Sequence, residues 1–319
     1  MLRLFLIYLS KAAWAQNMVT HWGFAWRAAS RFVAGSDLAD AIRVVKDLNS
    51  RGINATLDQL GEHTSTPEEA QQATDKILTT LDEIDMSGVR ANVSIKLTQI
   101  GLGLDENVCA QNLERILAHA LTKGIFIRID MEDTPYTDKT LDMLYAMREK
   151  GYENVGTVLQ SMLYRTEADV RRLMGDKIPV RLVKGAYLEP ADKAFPKKGD
   201  VDANYDLLVK LMIDAAMASG CPSLSEDGRT PPLPALGTHD DHRVAFAGQY
   251  AAKVGLPKNA IEFQMLHGIR RDIQQRLVEE GFPVRVYVPF GTHWYPYFMR
   301  RLAERPANIW FFISNYFRK

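Results

Sequence analysis

Residues 91–97 read ANVSIKL, a short run in which Val93, Ile95 and Leu97 alternate with Ser94, Lys96 and, one residue on, Thr98. A period of two marks a β-strand, whose successive side chains leave opposite faces. A lysine in such a strand points either into an enclosed interior or outward among helices, and both places demand a partner charge. Seven further runs share the β-rich character: NATLDQL (54–60), IFIRIDM (125–131), GTVLQ (156–160), PVRLVKG (179–185), PALGTH (234–239), IEFQML (261–266) and VRVYVPF (284–290). Charged, amphipathic helical segments separate them. One, TPEEAQQATDKILTTLDEI, opens on a Thr66 cap with Glu68 and Glu69 in its first turn; another, NVCAQNLERILAHALTKG, closes at Gly124. Eight strand–helix units in this length predict an α/β chain folded as a (βα)8 TIM barrel. A doubly wound sheet is the rival, but it usually has fewer strands and needs no closure. GCPSLSEDGRTPPLP (220–234) reads as a surface loop before the sixth strand.

The 319 residues are 46% hydrophobic, enough to bury a large core as one barrel domain. Lys plus Arg and Asp plus Glu both total 39, so nothing in the charge attracts nucleic acid or an acidic membrane surface, and small molecules become the expected partners. Two cysteines, Cys109 and Cys221, provide neither a disulfide framework nor a zinc spacing; a reducing cytoplasm fits. The start, MLRLFLIYLSKAAWAQ, imitates a secretory signal. Lys11 interrupts its apolar run, however, and Trp14, Met18, Trp22, Trp26 and Phe32 continue at helical spacing, which predicts an N-terminal helical arm over 1–50 ahead of a barrel over 51–319. The last segment, NIWFFISNYFRK, is aromatic and ends basic, as suits either a packed element or a peripheral contact with a membrane.

In a (βα)8 barrel the chemistry sits where strands end and βα loops begin. The polar residues at those ends are Glu62; Lys96 and Thr98; Arg128, Asp130 and Glu132; Gln160; Arg181 and Lys184; Thr238, His239, Asp240 and Asp241; Gln264; and Tyr287. A Lys96–Asp130 ion pair between neighbouring strand ends is the natural pairing. His239, in GTHDDHR, is better suited to hydrogen bonding than to a metal, because adjacent residues rarely all face one ion. No G-x-G-x-x-G follows a strand, which excludes nucleotide binding of the Rossmann kind.

After the eighth strand comes WYPYFMRRLAER (294–305). Pro296 suits a first helical turn, and Tyr297, Arg300, Arg301 and Glu304 then share one face while Phe298 and Leu302 lie away from it. Arg300 can pair with Glu304 or, across the closed barrel, with Glu62. Two guanidiniums beside an aromatic ring make a fork-shaped receptor for a carboxylate, which lysines at those positions could not copy.

Taken together, LDQLGE, VSIKLTQIG, RIDMED, VLQSMLYRT, RLVKGAY, THD, FQMLHG and YVPFGTHWYPYFMRRLAERPAN resemble the proline dehydrogenase family, in family order over roughly 54–308, and look closest to its single-function bacterial branch. The resemblance implies a distorted barrel holding FAD noncovalently over the strand ends, with the last barrel helix lying across the mouth. It implies that Arg300, Arg301 and Lys96 bind the carboxylate of L-proline, that Asp130 orients them, and that Tyr187, Leu266, Tyr287 and Tyr297 enclose the ring. Gln160, Arg181, Val183, Lys184, Gly185, Ala186, Thr238 and His239, with Met131, Gln264 and Glu304, match flavin-contacting positions, Arg181 being the one beside N5. Glu62 matches an acid that closes a gate with Arg300. The implied product is Δ1-pyrroline-5-carboxylate, on the way to glutamate, and the implied electron acceptor is a membrane quinone. One departure stands out: LEP follows RLVKGAY where some relatives carry a tryptophan, so Leu188 takes a position that elsewhere packs on flavin. Read without the resemblance, strand-end Lys96 or Lys184 among acids also suits a Schiff-base aldolase.

Overall fold

The computed structural model describes residues 8, 9, 12, 14, 26, 27, 29–61 and 64–304, the side chain of Glu304 excepted. Glu62, Met18, Trp22 and the aromatic segment after 304 lie outside the described residues. Eight parallel strands close into a barrel in chain order: β1 (Asn54–Gln59), β2 (Ala91–Ile95), β3 (Ile127–Ile129), β4 (Val155–Gln160), β5 (Val180–Val183), β6 (Pro234–Gly237), β7 (Glu262–Leu266) and β8 (Val284–Phe290). Closure is direct, because β1 pairs with β2 on one side and with β8 on the other.

The helices are α1 (Leu38–Ser50), α2 (Pro67–Ser87), α3 (Glu106–Thr122), α4 (Thr134–Glu149), α5 (Thr166–Gly175), α6 (Lys198–Ala218), α7 (Asp241–Val254), α8 (Arg271–Glu279) and α9 (Trp294–Glu304). The Thr66 cap forms as the sequence predicts, its side chain accepting from Glu69 N at 3.2 Å with Pro67 in the first helical position. Gly124 follows α3 at φ 62°, a left-handed conformation that costs glycine nothing. Outward strand residues such as Val93, Ile95, Ile127, Ile129 and Leu182 are buried under these helices and form the main core. The dispersion and burial of this layer hold the barrel shut.

Inward residues are different. Thr56, Asp58, Asn92, Ser94, Arg128, Arg181, Glu262, Gln264 and Arg285 are buried inside the barrel, a polar filling where branched apolar side chains are the rule. Gly156 makes room for this filling: a Cβ there would lie 2.2 Å from Pro179 O and 3.0 Å from Arg128 Nη1.

Two features bear on the site. First, α1, which precedes β1, packs on β8 and β1, where a helix following β8 would normally lie. That releases α9 from the wall. Its Trp294, Tyr295, Phe298 and Leu302 instead form a second apolar cluster with Phe32 and Val33, and the Trp26 and Trp294 rings meet edge to face at 5.6 Å. Second, the 220–234 segment does more than cover surface, as its composition suggested. Gly228 O accepts from Arg285 Nη2 at 2.7 Å and Arg229 O from Asn92 Nδ2 at 3.2 Å, so the segment plugs the N-terminal end of the barrel. Its proline and glycine content serves a tight turn, with Gly228 at φ 69°, pressed against Asn54. Several strands are also shorter than predicted: Lys96, Asp130, Lys184 and Thr238 each fall one residue past a strand end. The ladder stops where side chains must fan out around the mouth.

Candidate active site

A cavity of about 690 Å³ opens at the C-terminal ends of the strands. Lys96, Asp130, Arg181, Tyr287, Tyr297, Arg300 and Arg301 all line it. So do Tyr187 and Leu266, and, along the side toward β4–β7, Met131, Gln160, Val183, Lys184, Gly185, Ala186, Thr238, His239 and Gln264. Every described side chain assigned a role by the family resemblance therefore faces one space, whereas Thr98, Arg128 and Glu132, named only as strand-end polar residues, do not line it. Glu62 and the Glu304 side chain are the two that lie outside the description.

At the centre stands Asp130, just past β3. Lys96 Nζ donates to its Oδ2 at 3.3 Å, Tyr287 Oη to the same oxygen at 2.7 Å, and Ser94 Oγ to Oδ1 at 2.6 Å. Arg181 Nη2 closes a tight contact to Oδ1 as well. Burial raises the pKa of this carboxyl, but Arg181, Lys96, Ser94 and Tyr287 outweigh burial and hold it below the usual carboxylate range. Burial, then the charges of Asp130 and Asp58, push the Tyr287 phenol well above its ordinary value. Asp130 is thus an acceptor and Tyr287 an O–H donor throughout the physiological range. The depressed carboxyl stabilises the fold above the ordinary carboxylate range, and that contribution is lost as pH falls through the folded-state value.

Lys96 has a second carboxylate that sequence reasoning missed: Asp58 of β1, at 3.2 Å from Nζ. The signal was available in register, since Asp58 pairs with Ser94 across β1–β2 and so shares the inward face with Lys96. Attention to strand ends alone passed over a residue inside the strand. Arg128, named among the strand-end candidates, lies below the cavity instead. It is almost fully buried, its Nη1 donating to Thr157 O at 2.9 Å and its guanidinium over the Phe126 ring at 4.8 Å, and does not line the site. Glu132, another candidate, braces the turn that follows β2 by accepting from Thr98 Oγ1 at 2.6 Å.

Arg181 and Lys184 are three residues apart, which in a regular strand puts them on opposite faces, yet both line the cavity because β5 ends between them. Arg181 points inward from the strand, whereas Lys184 lies beyond Val183, where alternation has ended, and pairs with Asp240 at 2.7 Å and Asp202 at 2.5 Å. Both lysines are engaged with two carboxylates, an arrangement that does not present a bare amine to a carbonyl. His239 accepts from the backbone N–H of Leu266 at 2.9 Å through Nε2. An N–H can only donate, so this ring nitrogen carries no proton and His239 is neutral. The bond ties the flank of the cavity to the residue expected to cover the substrate ring.

Over the top lies α9. Tyr297, Arg300 and Arg301 face the cavity, Arg301 sits 5.2 Å from the Tyr297 ring centroid, and Phe298 and Leu302 enter the apolar cluster on the other side. Tyr297, Arg300 and Arg301 thus share the face predicted from WYPYFMRRLAER, while the side chain of Glu304, its fourth member, lies outside the described residues.

A closed parallel barrel whose mouth gathers lysines and arginines around a buried carboxylate defines a (βα)8 enzyme for a small anionic substrate. The chain matches the proline dehydrogenase family over residues 41–312. It is 40% identical over 307 residues to proline dehydrogenase 2 of Bacillus subtilis (strain 168), covering 96% of each chain. To proline dehydrogenase of Deinococcus radiodurans it is 41% identical over 293 residues, covering 91% of this chain and 90% of that one. The fold superposes with a TM-score of 0.78, at 25% identity, on a crystal structure of proline utilization A (PutA) from Bdellovibrio bacteriovorus inactivated by N-propargylglycine. That match takes in 87% of this chain and 32% of the longer one. The chain belongs to the proline dehydrogenase family, of the single-function bacterial type, and oxidises proline in the first step of proline catabolism. No helix among the described residues is long and apolar enough to cross a membrane.

Proposed function

We propose that the enzyme oxidises L-proline to Δ1-pyrroline-5-carboxylate with a noncovalent FAD lying in the mouth cavity. The observation that carries this reading is that Lys96, Arg300 and Arg301 line the same cavity as Gln160, Arg181, Val183, Lys184, Thr238, His239 and Gln264. Its volume of about 690 Å³ leaves ample space beside a five-membered-ring amino acid, and suits a ligand of cofactor size. The flank is also the right chemistry: Gly185, at φ 109°, and Ala186 keep side chains out of the way, while Arg181 and Lys184 supply positive charge. Gln160, Val183, Thr238, His239, Gln264, Met131 and Glu304 would complete the contacts. Bound there, the flavin would accept the hydride that leaves proline, and Arg181 would offset the negative charge this brings.

Arg300, Arg301 and Lys96 would grip the carboxylate, and a fixed carboxylate aims the far ring carbon at one face of the cavity. Asp130 and Asp58 hold Lys96 in place rather than touching substrate, while Tyr187, Leu266, Tyr287 and Tyr297 would enclose the ring. Neighbouring cations and exclusion of water both favour the neutral amine over the ammonium. Its lone pair then forms the C=N bond as the hydride departs, and the amine proton goes to solvent, so no dedicated base is required. Glu62 and Arg300 would gate the site. A membrane quinone would take the electrons onward, with the cytoplasmic enzyme meeting the membrane surface peripherally through its chain ends. The division into an arm (1–50) and a barrel (51–319) belongs to the same proposal, α1 being the arm's seat on the wall.

The test is the visible spectrum of the purified protein under anaerobic conditions. Flavin absorbance that bleaches on addition of L-proline is expected. A colourless protein that cannot be reconstituted with FAD would overturn the reading.

A further inference from the structure

A second cavity, of about 310 Å³, lies outside the barrel between α1 and the start of α8. Arg43, Arg51 and Arg271 line it against one carboxylate, that of Asp47. Arg43 is turned to Asp40 at 2.9 Å and Arg51 to Asp47 at 2.6 Å, whereas Arg271 makes no ion pair among the described residues. Arg271 also opens α8, where unsatisfied N–H groups carry the positive end of the helix dipole. The floor includes His267. Burial, then the charges of Arg271 and Arg51, push its imidazole down to about 4, and Asp47 alone pulls the other way. The ring is therefore neutral near pH 7, and the cavity holds more positive charge than its own side chains balance.

Only one peptide separates this cavity from the active site. Leu266 lines the mouth cavity and His267 the second one, while His267 N donates to Tyr287 O at 2.9 Å. The same loop is fixed on two further sides. Gly268, at φ 75°, lies so close to Arg31 that a Cβ would fall 1.8 Å from its carbonyl oxygen, and Ile269 packs on the aromatic cluster of α9. A change at His267 has little slack to absorb it before Leu266 or α9 responds.

We propose that the second cavity binds a small dianion, a phosphate or a dicarboxylate, through Arg51, Arg271 and His267, and that its occupancy alters proline binding through the Leu266–His267 peptide. The dianion offsets the charge of Arg271, which no carboxylate pairs among the described residues, and it favours the protonated imidazole. Coupling is reciprocal: whatever the dianion does to proline affinity, proline does to dianion affinity.

Titration calorimetry of the full-length protein with inorganic phosphate, and separately with succinate, tests this at constant ionic strength set by chloride. Saturable binding at roughly millimolar concentration is expected. The His267 ring, followed by NMR, should titrate closer to the ordinary imidazole range when the site is filled. Arg271→Ala and Arg51→Ala should each weaken binding about tenfold, as loss of a charged hydrogen-bond donor does. Arg271 is exposed, so its replacement leaves the fold intact, and phosphate should then no longer change the KM for proline. Phosphate binding without succinate identifies a tetrahedral oxyanion site; binding of both identifies a broader dianion site. No saturable heat with either ligand, or a response that chloride reproduces, overturns the site. Binding without any effect on KM overturns the coupling.

Discussion

The two ends of the barrel each bury arginine and carboxylate, yet they use them differently. At the base, Arg285 and Glu262 are wholly inaccessible: Arg285 Nε meets Glu262 Oε1 at 2.9 Å and Nη2 meets Oε2 at 3.0 Å. Two further guanidinium donors go to Ala55 O and Gly228 O, both at 2.7 Å. At the mouth, Lys96 is shared among Asp58, Asp130 and Tyr287 beside a large cavity, and Arg300 and Arg301 approach from a separate helix. Gln264 links the ends, donating to Glu262 at 2.6 Å and accepting from Arg181 at 3.2 Å. One polar chain thus runs along the barrel axis from a closed end to an open one. Burial of charge alone does not mark a functional site. What marks it is burial beside a space.

Experiments that remove one charge at a time separate the two ends. The largest effect on stability is expected for Glu262→Gln, which leaves Arg285 buried without its counter-charge; a loss of about 3–5 kcal/mol in urea unfolding should accompany an unchanged KM for proline. A KM that moved with it would mean that the base and mouth are not separable. Lys96→Met should do the reverse. Its kcat/KM is expected to fall at least about a hundredfold, or ~2.7 kcal/mol, with less destabilisation than Glu262→Gln, because water in the cavity can reach the abandoned carboxylates.

Next comes Arg301→Lys, which keeps the charge and removes the fork. KM for proline should rise about tenfold while the flavin content is unchanged, and steady-state kinetics with a flavin spectrum read both. An unchanged KM would remove Arg301 from the carboxylate site. The smallest effect belongs to Tyr297→Ser, which opens space beside the ring. Discrimination between proline and hydroxyproline should relax about threefold in competition kinetics, and identical selectivity would contradict the packing role.

The barrel was legible because its outward faces are repetitive. Val93 and Ile95, or Ile127 and Ile129, alternate with polar residues, and a sheet face that must bury itself under helices leaves that trace in any sequence. The α9 face was legible for a similar local reason, since Tyr297, Arg300 and Arg301 are fixed relative to one another by helical geometry alone. Asp58 was missed because its value comes from register with Ser94 and contact with Lys96, 38 residues away. Arg128 was overvalued because nothing local distinguishes a strand arginine below the cavity from one, such as Arg181, that reaches it. The 220–234 segment looked like surface because Pro, Gly and Ser report backbone shape, not location; its role as a plug depends on Arg285 and Asn92 arriving from other strands.

By itself the sequence determined the order and period of its elements, the capped helix starts and the grouping of cations on the last described helix. These follow from interactions within a few residues of chain, where spacing and direction are covalently set. Tertiary structure decided which charges share a cavity and which are locked at the base, that α1 stands in the wall so α9 can cover the mouth, and that Leu266 and His267 face different spaces. Those outcomes depend on the closure of eight strands, which brings β8 beside β1 and gives each buried charge neighbours that no local window of sequence contains.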